Sequence, residues 1–351
     1  MGLRSLHVRM AVGVVSVLAL SATFAAAQPT VVMSQLDNPR GLAFGPEGAL
    51  YVAEAGRGGD GPCGNNAPGE YRCYGPTGAI TRLWRGVQER VASGLPSHAL
   101  VGGGAANGPN DIAFLGRGGA CVTIGLGDDL GLRDELGEAG PLFGTLLKLS
   151  ASGQWRVDAD VAAHEDEDNP AGGPIDSNPY GALALPGACL VVDAGGNSLV
   201  HVAANGGIET WATFPSRPDR STDAVPTAIV QGPDDAYYIS QLTGVPFAAG
   251  AANIYRFVPG GAPTTYLTGF KTVTDLAFGH DGSLYVVEHA SGPVFFGGPG
   301  RVIRVAPDGA RTTVLGGLDR PTSVAVGPDG AIYVTNHGIT PGAGEVLRIA
   351  P

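Results

Sequence analysis

Along the chain, short apolar runs alternate with clusters of turn-forming residues, and the alternation itself repeats. Leu42-Ala43-Phe44 and Leu50-Tyr51-Val52 flank the turn Gly45-Pro-Glu-Gly48. The same pattern returns in Val273-Thr-Asp-Leu-Ala-Phe-Gly-His-Asp-Gly-Ser-Leu-Tyr-Val-Val-Glu288 and in Pro321-Thr-Ser-Val-Ala-Val-Gly-Pro-Asp-Gly-Ala-Ile-Tyr-Val-Thr-Asn336. Weaker copies begin at Pro109, Pro179 and Pro226, so the six origins are spaced 70, 70, 47, 47 and 48 residues apart. Apolar triplets joined by Gly/Pro/Asp turns predict β-hairpins. A second hairpin follows each first one, as in Arg301-Val-Ile-Arg-Val-Ala306 and Arg311-Thr-Thr-Val-Leu315 around Pro307-Asp-Gly309.

Four short antiparallel strands every 40–50 residues or so are the signature of a propeller blade. The pattern therefore predicts an all-β fold, a six-bladed β-propeller with four-stranded blades. A helix bundle is excluded, because almost no segment keeps a 3.6-residue period free of Gly or Pro. The last copy lacks a fourth strand: Glu345-Val-Leu-Arg-Ile349 is its third, and the chain stops at Pro351. Thr30-Val-Val-Met-Ser-Gln-Leu36 matches the fourth strand Thr312-Thr-Val-Leu-Gly-Gly-Leu318 of the preceding blade. The N-terminal strand is thus expected to complete blade six and close the ring, giving one domain over residues 28–351.

Before that strand, Arg4 and Arg9 precede an apolar run from Met10 to Leu20, and Ala25-Ala26-Ala27 offers a small-residue cleavage site. Residues 1–27 read as a signal peptide, so the mature chain is expected to be secreted or periplasmic, with no membrane span after cleavage. Loss of Arg4 and Arg9 moves the formal charge from -11 to -13, a poor surface for nucleic acid. Export permits disulfides. Cys63 and Cys73 share one Gly/Pro-rich loop and are expected to pair. Cys121 and Cys189 each lie in an apolar run, where two buried thiols and a second bridge are equally good readings.

Strand-one-to-two and three-to-four turns are short throughout, whereas the long insertions all belong to the other face. They are residues 55–78, 126–143, 162–178, 242–252 and 289–300. Loops on a rigid scaffold commonly carry function, so the loop-rich face is the expected working face, taking a small molecule or a protein partner. Strand two ends there at Glu54, Gly125, Asp193, Gln241, Glu288 and Asn336. Oxygen donors at Glu54, Asp193, Glu288 and Asn336 would suit Ca2+ or Mg2+, although such groups often only cap backbone amides. No spaced His or Cys set suggests structural zinc.

Strand one begins near the axis with Arg40, Asn110, Tyr180, Thr227, Thr274 and Thr322, and Asp111 and Asp275 come one residue later. Arg40, Asn110, Asp176, Asn178 and Tyr180 are candidate ligand contacts, with Phe247 for the apolar part of a pocket. His289, His337 and Glu288 are the candidate general bases or acids. The acidic run Glu165-Asp-Glu-Asp168 reads as a cation clamp or, slightly better, as a solvated flap. No nucleophile elbow and no nucleotide-binding fingerprint are present.

The repeated unit Pro-x-x-[Leu/Val]-Ala-[Phe/Val]-Gly-Pro-Asp-Gly-x-[Leu/Ile]-Tyr-Val resembles NHL-type and gluconolactonase-like propellers. Leu36-Asp-Asn-Pro-Arg-Gly-Leu-Ala-Phe44, the Glu54-Ala-Gly loop with its cysteines, and Asp176-Ser-Asn-Pro-Tyr-Gly181 make the chain similar to the ScyD/ScyE family. That resemblance implies an exported propeller of undefined biochemical role. Gluconolactonase-like propellers hold an axial divalent cation, which would fall to Glu54, Asp193, Glu288 and Asn336. Propeller lyases keep an acid and histidines near the axis, which would fall to Glu288 and His289. The expected function is ligand binding on the loop-rich face; the alternatives are a metal-dependent lactone hydrolase or lyase, or a protein-interaction scaffold.

Overall fold

The computed structural model describes residues 1–2, 28–65, 70–116, 119–214 and 223–351; the expected signal sequence lies outside the described residues. Strand β1 (Thr30–Leu36) belongs to the last sheet. Blade one follows as β2 (Pro39–Phe44), β3 (Leu50–Glu54), β5 (Tyr71–Trp84) and β6 (Val87–Leu100), with the short β4 (Cys63–Asn65) also paired to β5. Blade two is β7 (Pro109–Phe114), β8 (Gly119–Ile124), β9 (Thr145–Ser150) and β10 (Trp155–Asp160). Blade three is β11 (Pro179–Leu185), β12 (Ala188–Asp193), β13 (Ser198–Ala203) and β14 (Ile208–Thr213). Blade four is β15 (Pro226–Gln231), β16 (Tyr237–Gln241), β17 (Ala252–Phe257) and β18 (Thr264–Phe270). Blade five is β19 (Val273–Phe278), β20 (Leu284–Glu288), β21 (Gly300–Val305) and β22 (Arg311–Leu318).

Blade six is β23 (Val324–Val326), β24 (Ile332–Asn336) and β25 (Gly344–Ile349), completed by β1 in the register Thr30 opposite Arg348 and Leu36 opposite Gly344. The N-terminal strand closes the ring. Successive first strands touch all the way round, β23 meeting β2. Closure leaves only the short inner edges of β2, β7, β11, β15, β19 and β23, sheltered inside the ring from pairing with another chain.

The turns explain why these short strands form hairpins. Gly48, Gly282 and Gly330 donate to the carbonyls of Gly45, Gly279 and Gly327 at 2.8, 2.9 and 2.9 Å. Gly330 sits at φ 74, a conformation glycine adopts without the Cβ clash of other residues. The turn acid then clasps the same blade: Asp329 accepts from Tyr333 and Arg348, and Asp234 from Tyr238 and Arg256.

The core is divided among the blade interfaces. Ile80, Ile112 and Val122 fill the first, Val191 and Val200 the second, and Ile229 and Ile239 the third. Ile254 and Val286, Val302 and Val334, then Met33 and Val52 fill the other three. Burying these side chains supplies roughly 1.5–3 kcal/mol each relative to exposure. Cys63 and Cys73 are bonded across β4 and β5. Cys121 and Cys189 are also bonded, with Cα atoms 6.8 Å apart, so the second bridge crosses the interface of blades two and three.

Two insertions are not the plain loops their sequence suggested. Residues 126–143 contain α1 (Gly131–Glu135) and a 3-10 turn, Gly137–Leu142. The acidic segment forms α2 (Val161–Asp168), capped by the Asp160 side chain on the Ala163 amide and ended by Asn169 at φ 36. Helix formation rotates Glu165 inward, only 3 % exposed, while Asp166, Glu167 and Asp168 stay in solvent. The solvated-flap reading therefore fails for Glu165. Among the described residues no helix is long and apolar enough to cross a membrane.

Candidate functional site

The strand-two ends face inward to their own blades. Glu54 accepts from the Asp37 amide at 2.6 Å, from Thr81 and from Arg90. Asp193 accepts from Ser177, Asn178, Gly195 and Gly196, and Glu288 from the Lys271 amide and Arg301. Gln241 takes Asn253, and Asn336 takes the Asp319 amide while donating to Glu345. These positions tie the segment leading into strand one, or strand three, to strand two. Blade two has glycine there because a Cβ on Gly125 would lie 2.5 Å from Asn178 Oδ1 and 2.6 Å from Asn110 Nδ2.

The four expected cation ligands thus sit in four blades with their oxygens already engaged, and they do not fit a shared axial ion. Among the described residues no group of three or more His, Cys, Asp or Glu side chains is arranged to hold a metal. All four instead cap the backbone amide of a residue leading into strand one: Asp37 for Glu54, Asn178 for Asp193, Lys271 for Glu288 and Asp319 for Asn336.

The first residues of strand one do reach the axis, and most of them staple one blade to the next. Asn110 Nδ2 donates to Pro179 O at 3.0 Å, Thr227 to Val273 O at 2.8 Å and Thr322 to Pro39 O at 2.8 Å. Arg40 spans a wider gap, donating to Gly338 O at 2.5 Å and Ala106 O at 2.8 Å. It is buried and, among the described residues, ion-paired to no carboxylate; burial lowers its pKa.

His289 is buried close by. Its Nδ1 lies 3.0 Å from Pro321 O; a carbonyl only accepts, so Nδ1 carries the proton and Nε2 is left as a base. Burial pushes its pKa down to about 4, helped by Arg40, so the ring is neutral at pH 7. Phe296 meets the His289 ring edge-on at 5.4 Å and stacks on Phe247 at 4.3 Å. Tyr180 lies within the electrostatic reach of Arg40, and burial raises its phenol.

The remaining candidates separate. Glu288 turns into its blade, and His337 is held by Asp319 at 2.9 Å at the surface. Asn178 and Asp176 line the approach to β11, each with a buried Oδ1 that has no hydrogen-bond partner among the described residues. Burial and the Asp193 charge push Asp176 up to about 7. His98 packs on Phe143, and His201 stacks on Trp211 at 4.5 Å.

Below this cluster the channel narrows. Its loop-side half, between Asn110, Tyr180, Thr227, Thr274 and Thr322, leaves a void of only ≈ 10 Å³. The waist carries Asp111 and Asp275, on blades that face each other across the ring, beside Gly41 and Gly181. Beyond it, the same six strands open a funnel of ≈ 390 Å³ towards the short-turn face. Four of its six wall positions at one register are alanine (Ala43, Ala113, Ala277 and Ala325), with Leu183 and Val230 completing the ring. Sequence reasoning missed this cavity, although the recurrent alanine in the repeat was its visible trace.

No protein-family model matches the chain, and no curated protein matches it. Solved structures do share its shape. A streptogramin B lyase is 14% identical, with TM-score 0.51 over 92% of this chain and 97% of that one. A luciferin-regenerating enzyme is 11% identical, with TM-score 0.54 over 92% and 96%. A structural genomics protein of unknown function from Bacteroides thetaiotaomicron is 9% identical, with TM-score 0.56 over 92% and 72%. At these identities the likeness is one of fold alone.

Proposed function

We propose that this chain is an exported propeller of the ScyD/ScyE kind that acts as a lyase on a small carbonyl compound at its loop-rich face. The carrying observation is the pairing of a neutral His289, whose Nε2 is a bare base, with the buried, carboxylate-free guanidinium of Arg40. His289 Nε2 would take the proton from the carbon next to the carbonyl. The C–H electron pair forms a double bond to the adjacent β-carbon as that carbon's bond to the ester oxygen breaks, and the bonding pair leaves with the oxygen as a carboxylate. Arg40 would stabilise the negative charge that develops on the carbonyl oxygen, and Tyr180 would hydrogen-bond the same region. Phe247 and Phe296 would pack the apolar part of the substrate. The propeller fold shared with a streptogramin B lyase supports the reaction class by analogy.

The test is turnover, by the mature chain, of cyclic and linear esters whose ester oxygen sits on the carbon β to a second carbonyl, read by the ultraviolet band of an α,β-unsaturated carbonyl and by acid release. The expected outcome is an unsaturated product whose formation falls about 10²–10⁴-fold in His289→Gln. Hydrolysis without unsaturation, or full activity in His289→Gln, would overturn the reading. A second reading, a protein-binding face, rests on Val245, Val294 and Phe295, which are exposed on two loops joined by Phe295 N to Pro246 O.

A further inference from the structure

The funnel at the other end of the channel is unused by that chemistry. Its ≈ 390 Å³ falls within the range of small-molecule pockets, about 300–1,000 Å³, and its walls are apolar except for two carboxyls at the floor. Asp111 accepts from the Ile112 amide at 2.8 Å and the Ala182 amide at 2.9 Å. Asp275 accepts from the Leu276 amide at 2.7 Å, the Val324 amide at 2.9 Å and the Ser323 hydroxyl. These bonds hold both carboxyls in place, yet each of the three oxygens that takes a single donor keeps a free lone pair. No Lys, Arg or His is paired with either residue among the described contacts. At the bottom of an apolar funnel, two fixed carboxyls with spare acceptor capacity and no cation beside them form a polar floor open to a donor.

We propose that the short-turn end of the axial channel is a second ligand site, for a small primary ammonium ion with an apolar body. The head group must be compact, because the channel above the waist leaves room for about one water. A primary ammonium is of that size and offers three donors to the spare lone pairs of Asp111 and Asp275. Its alkyl or aryl body would lie against Ala43, Ala277, Ala325 and Leu183. Burial and the neighbouring Asp275 push Asp111 up to about 8, and burial pushes Asp275 up to about 6. A bound ammonium would lower both, so binding at pH 7 releases protons.

The experiment is calorimetric titration of the full chain with n-hexylammonium, n-hexanol and hexanoate at pH 7, in buffers of different ionisation enthalpy. Hexylammonium is expected to bind at least tenfold more tightly than hexanol, with proton release, and hexanoate not at all. Asp275→Asn should level amine and alcohol. Ala277→Leu, which copies the side chain already tolerated at Leu183, should abolish both while leaving the carboxyls intact. Equal affinity for hexanol and hexylammonium, no amine binding, or amine binding that survives Ala277→Leu would overturn the proposal. None of these readouts depends on the reaction assigned to His289.

Discussion

The two halves of the axial channel are built from the same six strands, yet one is filled and the other open. On the loop side, Arg40, Asn110, Thr227 and Thr322 send their side chains across blade boundaries. Three residues further along each strand, small apolar side chains leave ≈ 390 Å³ empty. A polar group at the axis can be satisfied by the next blade's backbone, so it fills space and stitches the ring. An alanine has nothing to donate and leaves a cavity. What a propeller channel can hold is thus decided by one or two positions per strand.

The sharpest way to break this contrast is to add volume on either side of the waist. A Cβ on Gly41 would lie 2.8 Å from the Asp111 Cα and collide with its carboxyl. Gly41→Val should cost about 3 kcal/mol of stability, whereas Ala43→Leu, two residues on in the funnel, should stay within about 1 kcal/mol. Equal losses in urea unfolding would show that the two halves are packed alike.

Removing a staple should cost less. Thr322→Val deletes the hydroxyl bonded to Pro39 O and shared with Thr335, and should lower stability by about 1–2 kcal/mol.

The waist adds a pH signature. Asp111, raised to about 8, keeps in the folded state a proton that the unfolded chain gives up near its ordinary value of 3.8. The folded chain then binds more protons between those values, so this group's contribution to stability falls as pH rises from about 4 to 8. Asp111→Asn should lessen the slope of a stability-against-pH curve there, with Asp275 and Asp176 supplying part of what remains; an unchanged slope would place the charge elsewhere.

The smallest effect belongs outside the channel altogether. Arg348→Gln breaks a half-exposed pair with Asp329, and thermal melts should show an essentially unchanged Tm.

Much of the fold was legible in the chain because a propeller is a local repeat. Each hairpin is encoded within about 16 residues by alternation and turn chemistry, and Thr30–Leu36 could be matched to β22 by likeness alone. The Cys63–Cys73 pair was legible for the same reason, since both cysteines lie in one loop. The site was less so. Glu54, Asp193, Glu288 and Asn336 have the residue types of a cation ring, but whether a strand-end carboxylate caps an amide or faces the axis is set by its rotamer. Asp176 and His289 owe their shifted titration to burial, which composition does not reveal.

The sequence by itself determined the blade count, the order of strands and the velcro-like closure, because these depend on period, turns and edge pairing. Only the tertiary structure decided which face holds a cavity, how Cys121 and Cys189 meet across a blade interface, and why Glu165 is buried. Those outcomes depend on side chains from different blades converging, and convergence is a property of the closed ring, not of any one repeat.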